Sequence, residues 1–328
     1  MNILVTGANG FIGSWLVRKL LEDGHQVKIL ARKTSDLSEL VGLDYQKSIG
    51  DITDQSSIEQ ALENVELVYN LAGLIAYKRA DRHKMELVNV QGTINLLNAL
   101  NNKNVSKLVH MSSVVAVGAL LSPAAPLTET SDYNLSKYDF GYFETKRKSE
   151  ILVGEWHNLG RGEAMIFNPS TVYGPGDAKK SSRKTQIKVA KGEFKFYSPG
   201  GVSIAHVEDV VTTLAKCANR KLNGQRYILA GENITIKSLF ESIAAASGVN
   251  PPALLLPGSI LSALATFSDS LDKLGIKSKL PDSESILVSK MYHWYDSTKA
   301  VDELSYNIRP AKICITDSVQ WMKKNKII

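Results

Sequence analysis

The alternation of apolar and polar positions predicts strands separated by helices through the first half of the chain. Ile3, Leu4 and Val5 form a short apolar run of the kind that makes a fully buried strand. Apolar residues then recur at helical period from Phe11 to Leu21. Later runs predict strands at 26–30, 44–49, 65–71, 107–111 and 164–168, with helices near 36–41, 55–62, 83–100 and 138–156. Such alternation indicates an α/β fold with a parallel, doubly wound sheet, whose ligands bind at the carboxyl ends of its strands.

Three glycines follow the first predicted strand and open the first predicted helix. Gly7, Gly10 and Gly13 are spaced three residues apart. Gly7 allows a tight turn, Gly10 lets the backbone approach a phosphate, and Gly13 lets the helix pack against the strand. The helix N-terminus adds free N–H groups and a partial positive charge. This strand–turn–helix arrangement predicts a dinucleotide site formed by Gly7, Asn9, Gly10, Phe11, Ile12 and Gly13.

The pattern loosens after Val172, which predicts a second, smaller unit. A helix over 206–218 and a strand over 226–229 continue the main sheet, and the remainder is a helix over 234–246, a short strand over 254–256 and further helices. We therefore predict a Rossmann-type dinucleotide-binding domain formed by residues 1–172 and 206–230. Residues 173–205 and 231–328 then form a mainly helical C-terminal substrate lobe.

Composition fits a globular protein and narrows the choice of partner. The 328 residues are 44% hydrophobic and 22% charged, with a formal net charge of +6. The charge suits an anionic ligand, but it is spread along the chain without interleaved aromatics, so no nucleic-acid partner is predicted. The first strand begins at once and no apolar run reaches membrane-spanning length, so we expect neither a signal peptide nor a transmembrane segment. Cys217 and Cys314 lack metal or redox spacing, so we expect reduced thiols, no metal site and a cytoplasmic location.

Basic residues directly follow the second predicted strand, where the adenosine ribose of a bound dinucleotide lies. An acidic residue there would hold the 2′-hydroxyl of NAD, whereas the guanidinium of Arg32 suits the 2′-phosphate of NADP. Arg32 and Lys33 therefore predict NADP, with NAD as the alternative. After the third strand, Asp51 is placed to accept from the adenine amino group while Ile52 covers the ring. The loop after the fourth strand contains small residues and completes the predicted cofactor site with Leu71, Ala72 and Gly73.

Two Tyr-x-x-x-Lys pairs lie downstream of the fifth strand, Tyr133 with Lys137 and Tyr142 with Lys146. On a helix this spacing puts both side chains on one face. A phenol with a pKa of about 10 is a poor acid–base catalyst at neutral pH, and an adjacent ammonium lowers that pKa. Tyr142 continues into a helical pattern, whereas Tyr133 lies in a stretch typical of a cap or loop. We therefore predict Tyr142 and Lys146 as the catalytic pair.

The ordered motifs of the chain resemble those of the extended short-chain dehydrogenase/reductase superfamily. These motifs are 6–13, Gly50-Asp51, 70–73, 89–93, Ser112-Ser113, Tyr142/Lys146 and 168–174. They look most like the dihydroflavonol-4-reductase-like branch of the NAD-dependent epimerase/dehydratase family. The resemblance implies that Ser113 hydrogen-bonds the substrate oxygen, Tyr142 exchanges the proton, and Lys146 holds the nicotinamide ribose. It also implies that Pro169 and Val172 contact the nicotinamide, and that a homodimer forms through the helices at 83–100 and 138–156.

These residues predict an NADP-dependent oxidoreductase that transfers a hydride between nicotinamide and a small-molecule ketone or secondary alcohol, as a dihydroflavonol-4-reductase-like carbonyl reductase does. Ser113 is followed by an apolar run at 114–117, which favours a less polar carbonyl over a sugar nucleotide. One alternative is an NAD-dependent sugar-nucleotide epimerase or dehydratase. Another is a non-catalytic NADP-sensing protein, against which the intact set of Ser113, Tyr142 and Lys146 argues.

Three further features leave alternatives open. Asn89 either holds the loop after the fourth strand or caps a helix start. Basic residues at 179–195 form either a solvated face, which we favour, or a phosphate clamp. A stripe at helical spacing predicts core of the lobe, with a pocket lid or a membrane-surface contact as the alternatives. The stripe consists of Ile260, Leu264, Phe267, Leu271 and Leu274.

Overall fold

The computed structural model describes residues 1–177, 183–274 and 281–328, and strands alternate with helical segments from β1 to β6. The strands are β1 (Asn2–Thr6), β2 (Gln26–Ala31), β3 (Gln46–Ile49), β4 (Leu67–Asn70), β5 (Lys107–Met111), β6 (Glu163–Pro169), β7 (Thr171–Tyr173), β8 (Phe196–Tyr197), β9 (Gly201–His206), β10 (Arg226–Leu229), β11 (Glu232–Thr235), β12 (Leu254–Leu255) and β13 (Tyr292–His293).

The helices bracket these strands, and short 3₁₀ turns occur at several junctions. The α-helices are α1 (Phe11–Glu22), α2 (Gln55–Ala61), α3 (Arg82–Met85), α4 (Gly92–Lys103), α5 (Gly141–Asn158), α6 (Lys184–Ala190), α7 (Val207–Ala215), α8 (Ile236–Ser247), α9 (Gly258–Lys273), α10 (Ser283–Ser289), α11 (Thr298–Leu304) and α12 (Ala311–Lys324). Further helical segments are the 3₁₀ turns Ser38–Leu40, Arg79–Asp81, Val114–Ala116, Ser136–Tyr138 and Lys216–Asn219, and the π-helix Glu86–Gln91.

Seven parallel strands form the central sheet, in the order β10-β6-β5-β4-β1-β2-β3. β1 is an interior strand: Ile3 pairs with Val27 of β2 on one side and with Leu67 of β4 on the other. The chain runs outward from β1 in both directions, so the order reverses between β1 and β4, where ligands of such sheets bind. The predicted α/β class with a doubly wound parallel sheet is confirmed, and β5 and β10 coincide with their predicted strands.

Two apolar clusters cover the two faces of this sheet. On one face Leu16 of α1 and Leu214 of α7 pack against the strands. On the other face the cluster includes Leu100 of α4 and Trp156 of α5. Because both faces are buried, the interior strands β1 and β4 are nearly continuous apolar runs rather than alternating ones, whereas the edge strand β3 is polar and largely exposed. The helices thereby hold the carboxyl ends of the strands in a fixed arrangement.

A second sheet belongs to the C-terminal half. β9 pairs antiparallel with β11 and parallel with both β13 and β7. α6, α8 and α12 enclose a separate core that includes Phe240 and Ile315, while β8 and β12 form a two-stranded ribbon. The division into two units at 172/173, 205/206 and 230/231 stays a prediction. Two contacts cross it: β7 pairs into the second sheet, and α11 packs on the central sheet through Ala300 and Leu304.

Several predicted helices differ from the observed ones. The helix predicted at 36–41 is only the 3₁₀ turn Ser38–Leu40. The one predicted at 83–100 is a succession of α3, the π-helix and α4. The one predicted at 138–156 begins at Gly141, because Asp139 has a left-handed backbone with φ of 48°. Periodicity therefore located these segments but not the interruptions within them.

α9 turns the predicted apolar stripe outward. Ile260, Phe267 and Leu274 are 48%, 56% and 73% exposed. Leu261 instead packs against Ile286 of α10. The prediction of a lobe core was wrong for the three exposed residues, since helical spacing does not say which side another element covers.

The basic stretch at 179–195 lies partly outside the described residues, which omit Lys179 and Lys180. Arg183 is 2% exposed, with Nε 3.1 Å from Oδ2 of Asp177 and its guanidinium 3.7 Å from the ring centroid of Tyr173. Ser318 of α12 lies 2.8 and 2.9 Å from the two carboxylate oxygens of Asp177. Arg183 is therefore part of a buried junction, while the described lysines of the stretch, at 184, 188, 191 and 195, are exposed.

Across the three described ranges, no helix combines the length and the apolarity that crossing a bilayer requires.

Candidate functional site

The glycine turn leaves the N-terminus of α1 open. Gly7 has φ of 68°, and the N–H of Gly10 donates to its carbonyl oxygen at 3.0 Å. A Cβ on Gly13 would lie 2.2 Å from that same oxygen, so the first turn of α1 is in direct contact with the loop. α1 is fully described, and it has neither a capping side chain nor an acidic residue in its first turn. With Asn9 and Gly10 exposed at this position, the turn can accept an anionic group.

Arg32 and Lys33 lie exposed directly after β2, as predicted from their place in the sequence. Nε of Arg32 is 3.9 Å from Oδ2 of Asp51, so the loops after β2 and β3 meet. Oδ1 of Asp51 accepts hydrogen bonds from the N–H and the hydroxyl of Thr53, both at 2.9 Å. Because the Arg32 side chain is 62% exposed, its pairing with Asp51 contributes little, and the guanidinium is accessible to a phosphate.

Thr6 joins the carboxyl ends of β1 and β4 at the point where the strand order reverses. Its hydroxyl donates to Oδ1 of Asn70 at 2.7 Å and accepts from the N–H of Ala72 at 3.1 Å. These bonds fix the loop that contains Leu71, Ala72 and Gly73. A Cβ on Gly73 would lie 3.4 Å from Nζ of Lys146, so the predicted cofactor loop passes beside the predicted catalytic lysine.

Asn89 holds the loop after β4, which decides between its two predicted roles. Its Oδ1 accepts from the N–H of Leu74 at 2.7 Å, and its Nδ2 donates to the carbonyl oxygen of Leu74 at 3.0 Å. The same Nδ2 lies 3.0 Å from the hydroxyl of Thr145 on α5. Asn89 sits inside the π-helix rather than at a helix start, and it links this loop to α5.

Ser113, Tyr142 and Lys146 meet beyond the carboxyl end of β5. Ser113 precedes the 3₁₀ turn Val114–Ala116, and its side chain is hydrogen-bonded to Tyr142. Lys146, one turn after Tyr142 on α5, donates to the carbonyl oxygen of Met111 at 2.7 Å. The structure thus brings the three predicted catalytic residues together, and their individual roles stay predictions.

Burial is the main influence on both ionisable side chains of this group. It raises the pKa of Tyr142 above its ordinary value; Tyr77 adds to the rise, and the hydrogen bond with Ser113 opposes it. Burial also lowers the pKa of Lys146 to about 8, against the opposing charge of Glu150. The expectation that a neighbouring ammonium lowers the phenol pKa is not met here, because burial dominates the pKa of Tyr142 and raises it. Tyr142 is therefore a protonated phenol at neutral pH.

The rival pair, Tyr133 and Lys137, has a different environment. Tyr133 lies outside any helix, and its hydroxyl donates to Oε1 of Glu144 at 2.7 Å. Lys137 is exposed, and its ammonium lies 5.2 Å from the ring centroid of Tyr138. The helical spacing needed for the chemistry is absent at this pair, which favours Tyr142 and Lys146.

Pro169 ends β6 and Val172 lies in β7, and both are buried. Within the described residues, the hydroxyl oxygens of Ser112 and Ser170 are buried and have no hydrogen-bond partner. Unpaired buried hydroxyls are costly unless a ligand completes them. Together with the open N-terminus of α1, these donors at the strand ends fit a nicotinamide dinucleotide.

Asn168 has a role that the sequence analysis did not assign. Its Nδ2 donates to the carbonyl oxygen of Ser113 at 2.9 Å and to Oε2 of Glu150 at 2.8 Å. Oε1 of Glu150 is 3.1 Å from Nη1 of Arg226. This buried network supports the main chain at Ser113. Only the positions of these residues in the sequence could have indicated this network, since Asn168 lies at a strand end and Glu150 lies one helical turn after Lys146.

Tyr142 is a member of a buried apolar cluster. The cluster contains Leu74, Tyr77, Met85, Val115, Ala119, Phe140, Phe143, Leu287, Val288 and Met291. The ring of Tyr77 lies 6.4 Å from that of Tyr142 at 70° between planes. Of the apolar run predicted at 114–117, Val115 belongs to this cluster, whereas Val114 and Val117 pack in a separate one.

Two cavities of the described chain lie elsewhere. One, of about 270 Å³, is lined by residues that include Asn233, Tyr295 and Ser297. The other, of about 240 Å³, is lined by residues that include Arg147 and Glu150. Neither is lined by the Ser113 group. The candidate site is therefore defined by the hydrogen-bonding groups that meet at the strand ends, not by the volume of a cavity.

Comparison with known proteins shows relatives along the whole chain. The model of the NAD dependent epimerase/dehydratase family matches residues 3–230. Sterol demethylase protein B of Methylococcus capsulatus is 30% identical over 335 aligned positions, which cover 100% of this chain and 100% of that one. A Synechocystis protein provisionally named dihydroflavonol 4-reductase is 27% identical, over 98% of this chain and 94% of its own.

A solved structure agrees with the fold. The crystal structure of gox2253 superposes with a TM-score of 0.87 and is 34% identical, with 98% of each chain covered. Further relatives are named as sugar-nucleotide epimerases or as hydroxysteroid dehydrogenases. The likeness therefore extends to enzymes that act on polar and on apolar substrates, and the substrate has to be argued from the site.

Proposed function

The chain belongs to the NAD-dependent epimerase/dehydratase family of extended short-chain dehydrogenases/reductases and is an NAD(P)-dependent oxidoreductase, and on that premise we propose that it interconverts an apolar ketone and its secondary alcohol with NADP(H). Tyr142 and Ser113 act on the substrate oxygen, and Lys146 holds the nicotinamide ribose. Sterol-like or flat aromatic carbonyl compounds are the first substrates to test, since relatives carry names of both kinds.

The observation that carries this proposal is the apolar cluster around Tyr142. Its members come from six separate parts of the chain, namely the loop after β4, α3, the turn after β5, the segment that precedes α5, α5 itself, and α10 with the residue at 291. A sugar nucleotide would bury hydroxyl groups against this surface without partners, which is costly. An apolar carbonyl compound leaves a single polar oxygen, for which Ser113 and Tyr142 are two hydrogen-bonding groups.

The loop after β2 supports NADP over NAD. Ala31 ends β2 and Arg32 follows, so no carboxylate stands where the ribose 2′-hydroxyl of NAD is usually held. Arg32 and Lys33 are both exposed, and the guanidinium fork matches a phosphate in two-point geometry. Asp51 lies beside Arg32, but its Oδ1 is engaged by the N–H and the hydroxyl of Thr53.

The residues of the site define the protein's share of the reaction. NADPH, when bound, supplies a hydride from nicotinamide C4 to the carbonyl carbon. Ser113 donates a hydrogen bond to the substrate oxygen, and Tyr142 gives its phenolic proton to that oxygen as negative charge develops there. The raised pKa of Tyr142 keeps the phenol protonated at neutral pH, so the proton that the reductive direction needs is present on its hydroxyl. The apolar cluster keeps bulk water from the reacting atoms.

The test is NADPH consumption by the purified protein with apolar ketones, with NADH in parallel reactions. We expect turnover with at least one sterol-like or aromatic ketone and a preference for NADPH. If the protein instead copurifies with oxidised NAD and interconverts uridine diphosphate sugars without net cofactor consumption, the epimerase alternative is correct. If no carbonyl compound in a broad panel is reduced while NADPH still binds, the protein is a sensor and the proposed reaction is wrong.

A further inference from the structure

The C-terminal lobe supplies the cap of helix α5, which carries Tyr142 and Lys146. The N–H of Gly141, the first residue of α5, donates to Oε2 of Glu284 at 3.2 Å. Glu284 lies in the first turn of α10, 143 positions later in the chain. Phe140, at the N-cap position of α5, makes no side-chain cap hydrogen bond. A carboxylate at this end satisfies a free donor and complements the helix dipole.

Arg82 holds the same carboxylate from the opposite side. Its Nη2 is 2.7 Å from Oε1 of Glu284, and its Nη1 is 2.5 Å from Oδ2 of Asp139. Asp139 is the left-handed residue that precedes the helix. A Cβ on Gly141 would lie 2.8 Å from Cε of Met85, so the start of α5 is in close contact with α3 as well. The first turn of α5 is therefore fixed between α3 and α10.

The position of this cap bears directly on Tyr142. Tyr142 follows Gly141 in the chain, so a movement of Gly141 moves the phenol. α10 also contributes Leu287 and Val288 to the apolar cluster around Tyr142. Glu284 is 5% exposed, so its hydrogen bonds are protected from competing water. One short helix thus both belongs to the apolar cluster that contains Tyr142 and holds the start of the helix that carries the proposed proton donor.

We propose that Glu284 is a positioning residue for Tyr142, and that α10 couples the packing of an apolar carbonyl substrate to the placement of the proton donor. Glu284 does not touch the reacting atoms and acts through Gly141. The coupling to catalysis rests on the proposed function, in which Tyr142 is the proton donor. The anchoring of α5 by Glu284 does not depend on that function, so the two can fail separately.

A second ion pair provides a matched control at the same junction. Nη2 of Arg79 lies 3.2 Å from Oδ1 of Asp269 on α9. This pair also joins the segment before α3 to the α9–α10 region, but it does not contact α5. Loss of the Asp269 charge should therefore weaken the junction without moving Tyr142.

The kinetic experiment compares Glu284→Ala, Glu284→Gln and Asp269→Asn in the full-length protein. Glu284→Ala should lower kcat about tenfold or more, since small misplacements of a catalytic group are costly. The Kd for NADPH should stay within about twofold of wild type, because the cofactor-binding residues are unchanged. Glu284→Gln keeps the side-chain volume and one acceptor oxygen, so its loss should be smaller, and Asp269→Asn should match wild type. Formate should restore kcat in Glu284→Ala alone, since it can occupy the place of the missing carboxylate, whereas chloride should not.

A second readout does not require turnover. Hydrogen–deuterium exchange of the segment 141–146 should be faster in Glu284→Ala than in wild type or Asp269→Asn, and formate should slow it again. If wild type reduces no carbonyl compound but this exchange pattern appears, the proposed function is wrong and the anchoring by Glu284 is correct. Any of three results would overturn the inference. These are a wild-type kcat in Glu284→Ala, an equal loss of kcat in Asp269→Asn, and no response of kcat and exchange to formate. If Glu284→Ala does not fold, Glu284→Gln gives the same comparison against Asp269→Asn.

Discussion

Lys146 donates a hydrogen bond from its ammonium group to the main-chain carbonyl oxygen of Met111, 2.7 Å away. This bond connects the second turn of α5 to the last residue of β5. The side chain is buried, and burial lowers the pKa of Lys146 to about 8. A buried ammonium next to the strand end is therefore maintained at a cost in stability, as expected for a group kept for chemistry.

We expect Lys146→Met to abolish turnover and yet to raise the stability of the protein at pH 7. The folded-state pKa of about 8 is lower than the value of an unfolded lysine, so below pH 8 folding works against a charged, buried amine. That cost is on the order of 3 kcal/mol, and the lost bond to Met111 offsets part of it, which leaves a gain of about 1–2 kcal/mol. Tm measured by circular dichroism at pH 7 checks the sign.

The pH dependence of the same variant provides the control. Between about pH 8 and 10 the unfolded wild type binds a proton at this site that the folded state has lost, so wild-type stability rises with pH. Lys146→Met has no such contribution, and its advantage over wild type should shrink over this range. An advantage that stays constant with pH, or a variant less stable than wild type at pH 7, would contradict the assignment of a depressed pKa.

The two tyrosines should respond very differently to loss of the hydroxyl. Tyr142→Phe removes the proposed proton donor and should lower kcat by about a thousandfold or more. Tyr133→Phe removes a hydrogen bond to Glu144 and should cost about 1 kcal/mol of stability with kcat nearly unchanged. Steady-state kinetics and thermal melts of both variants check this. The reverse outcome would move the proton donor to Tyr133.

Arg32→Ala should change cofactor preference rather than catalysis. We expect KM for NADPH to rise about 10- to 100-fold and KM for NADH to change little, because only NADPH presents a phosphate to the guanidinium. Arg161, an exposed arginine after α5, serves as the charge-matched control in Arg161→Ala. An equal rise in both KM values, or none in either, would rule out recognition of the 2′-phosphate by Arg32.

Two glycines in helices should respond oppositely to the same substitution. Gly13→Ala would bring a Cβ to 2.2 Å from the carbonyl oxygen of Gly7, so it should destabilise the protein by about 2–4 kcal/mol and weaken cofactor binding. At Gly154, within α5, an added Cβ would meet no atom within 4 Å. Gly154→Ala should therefore stabilise by up to about 1 kcal/mol. Urea denaturation of both variants measures the difference, and a loss of stability in Gly154→Ala would contradict the open space seen there.

The strands of the central sheet could be predicted from the sequence because each is recognisable from its own residues. β5 and β10 are short apolar runs with clear ends, and both were predicted to the residue. Ligands of parallel sheets bind at the carboxyl ends of the strands, and this rule predicted that Arg32, Ser113 and the loop at 71–73 lie at one edge of the sheet. Tyr142 was separated from Tyr133 by the helical pattern that follows it, and α5 carries Tyr142 as that pattern indicated.

The remaining features depend on contacts that a local pattern does not contain. The second sheet was not predicted, because β7, β9, β11 and β13 are short and pair across long stretches of chain. The outward face of α9 depends on where α10 packs. The cap on Gly141 comes from Glu284, and the support of Ser113 comes from Asn168, so neither appears as a motif. The positions of candidate side chains at strand ends were predictable, whereas contacts supplied by a distant segment were not.

The position of β10 at the edge of the central sheet limits how the protein can be shortened. Within the described sheet β10 pairs with β6 alone. A fragment that ended at residue 172 would leave β6 with a row of unpaired N–H and C=O groups and with apolar surface that Tyr227 and Ile228 normally cover. Open edges of this kind pair with other chains. During synthesis β6 emerges before β10, so β6 acquires its partner strand only after residues 173–225 have been synthesised.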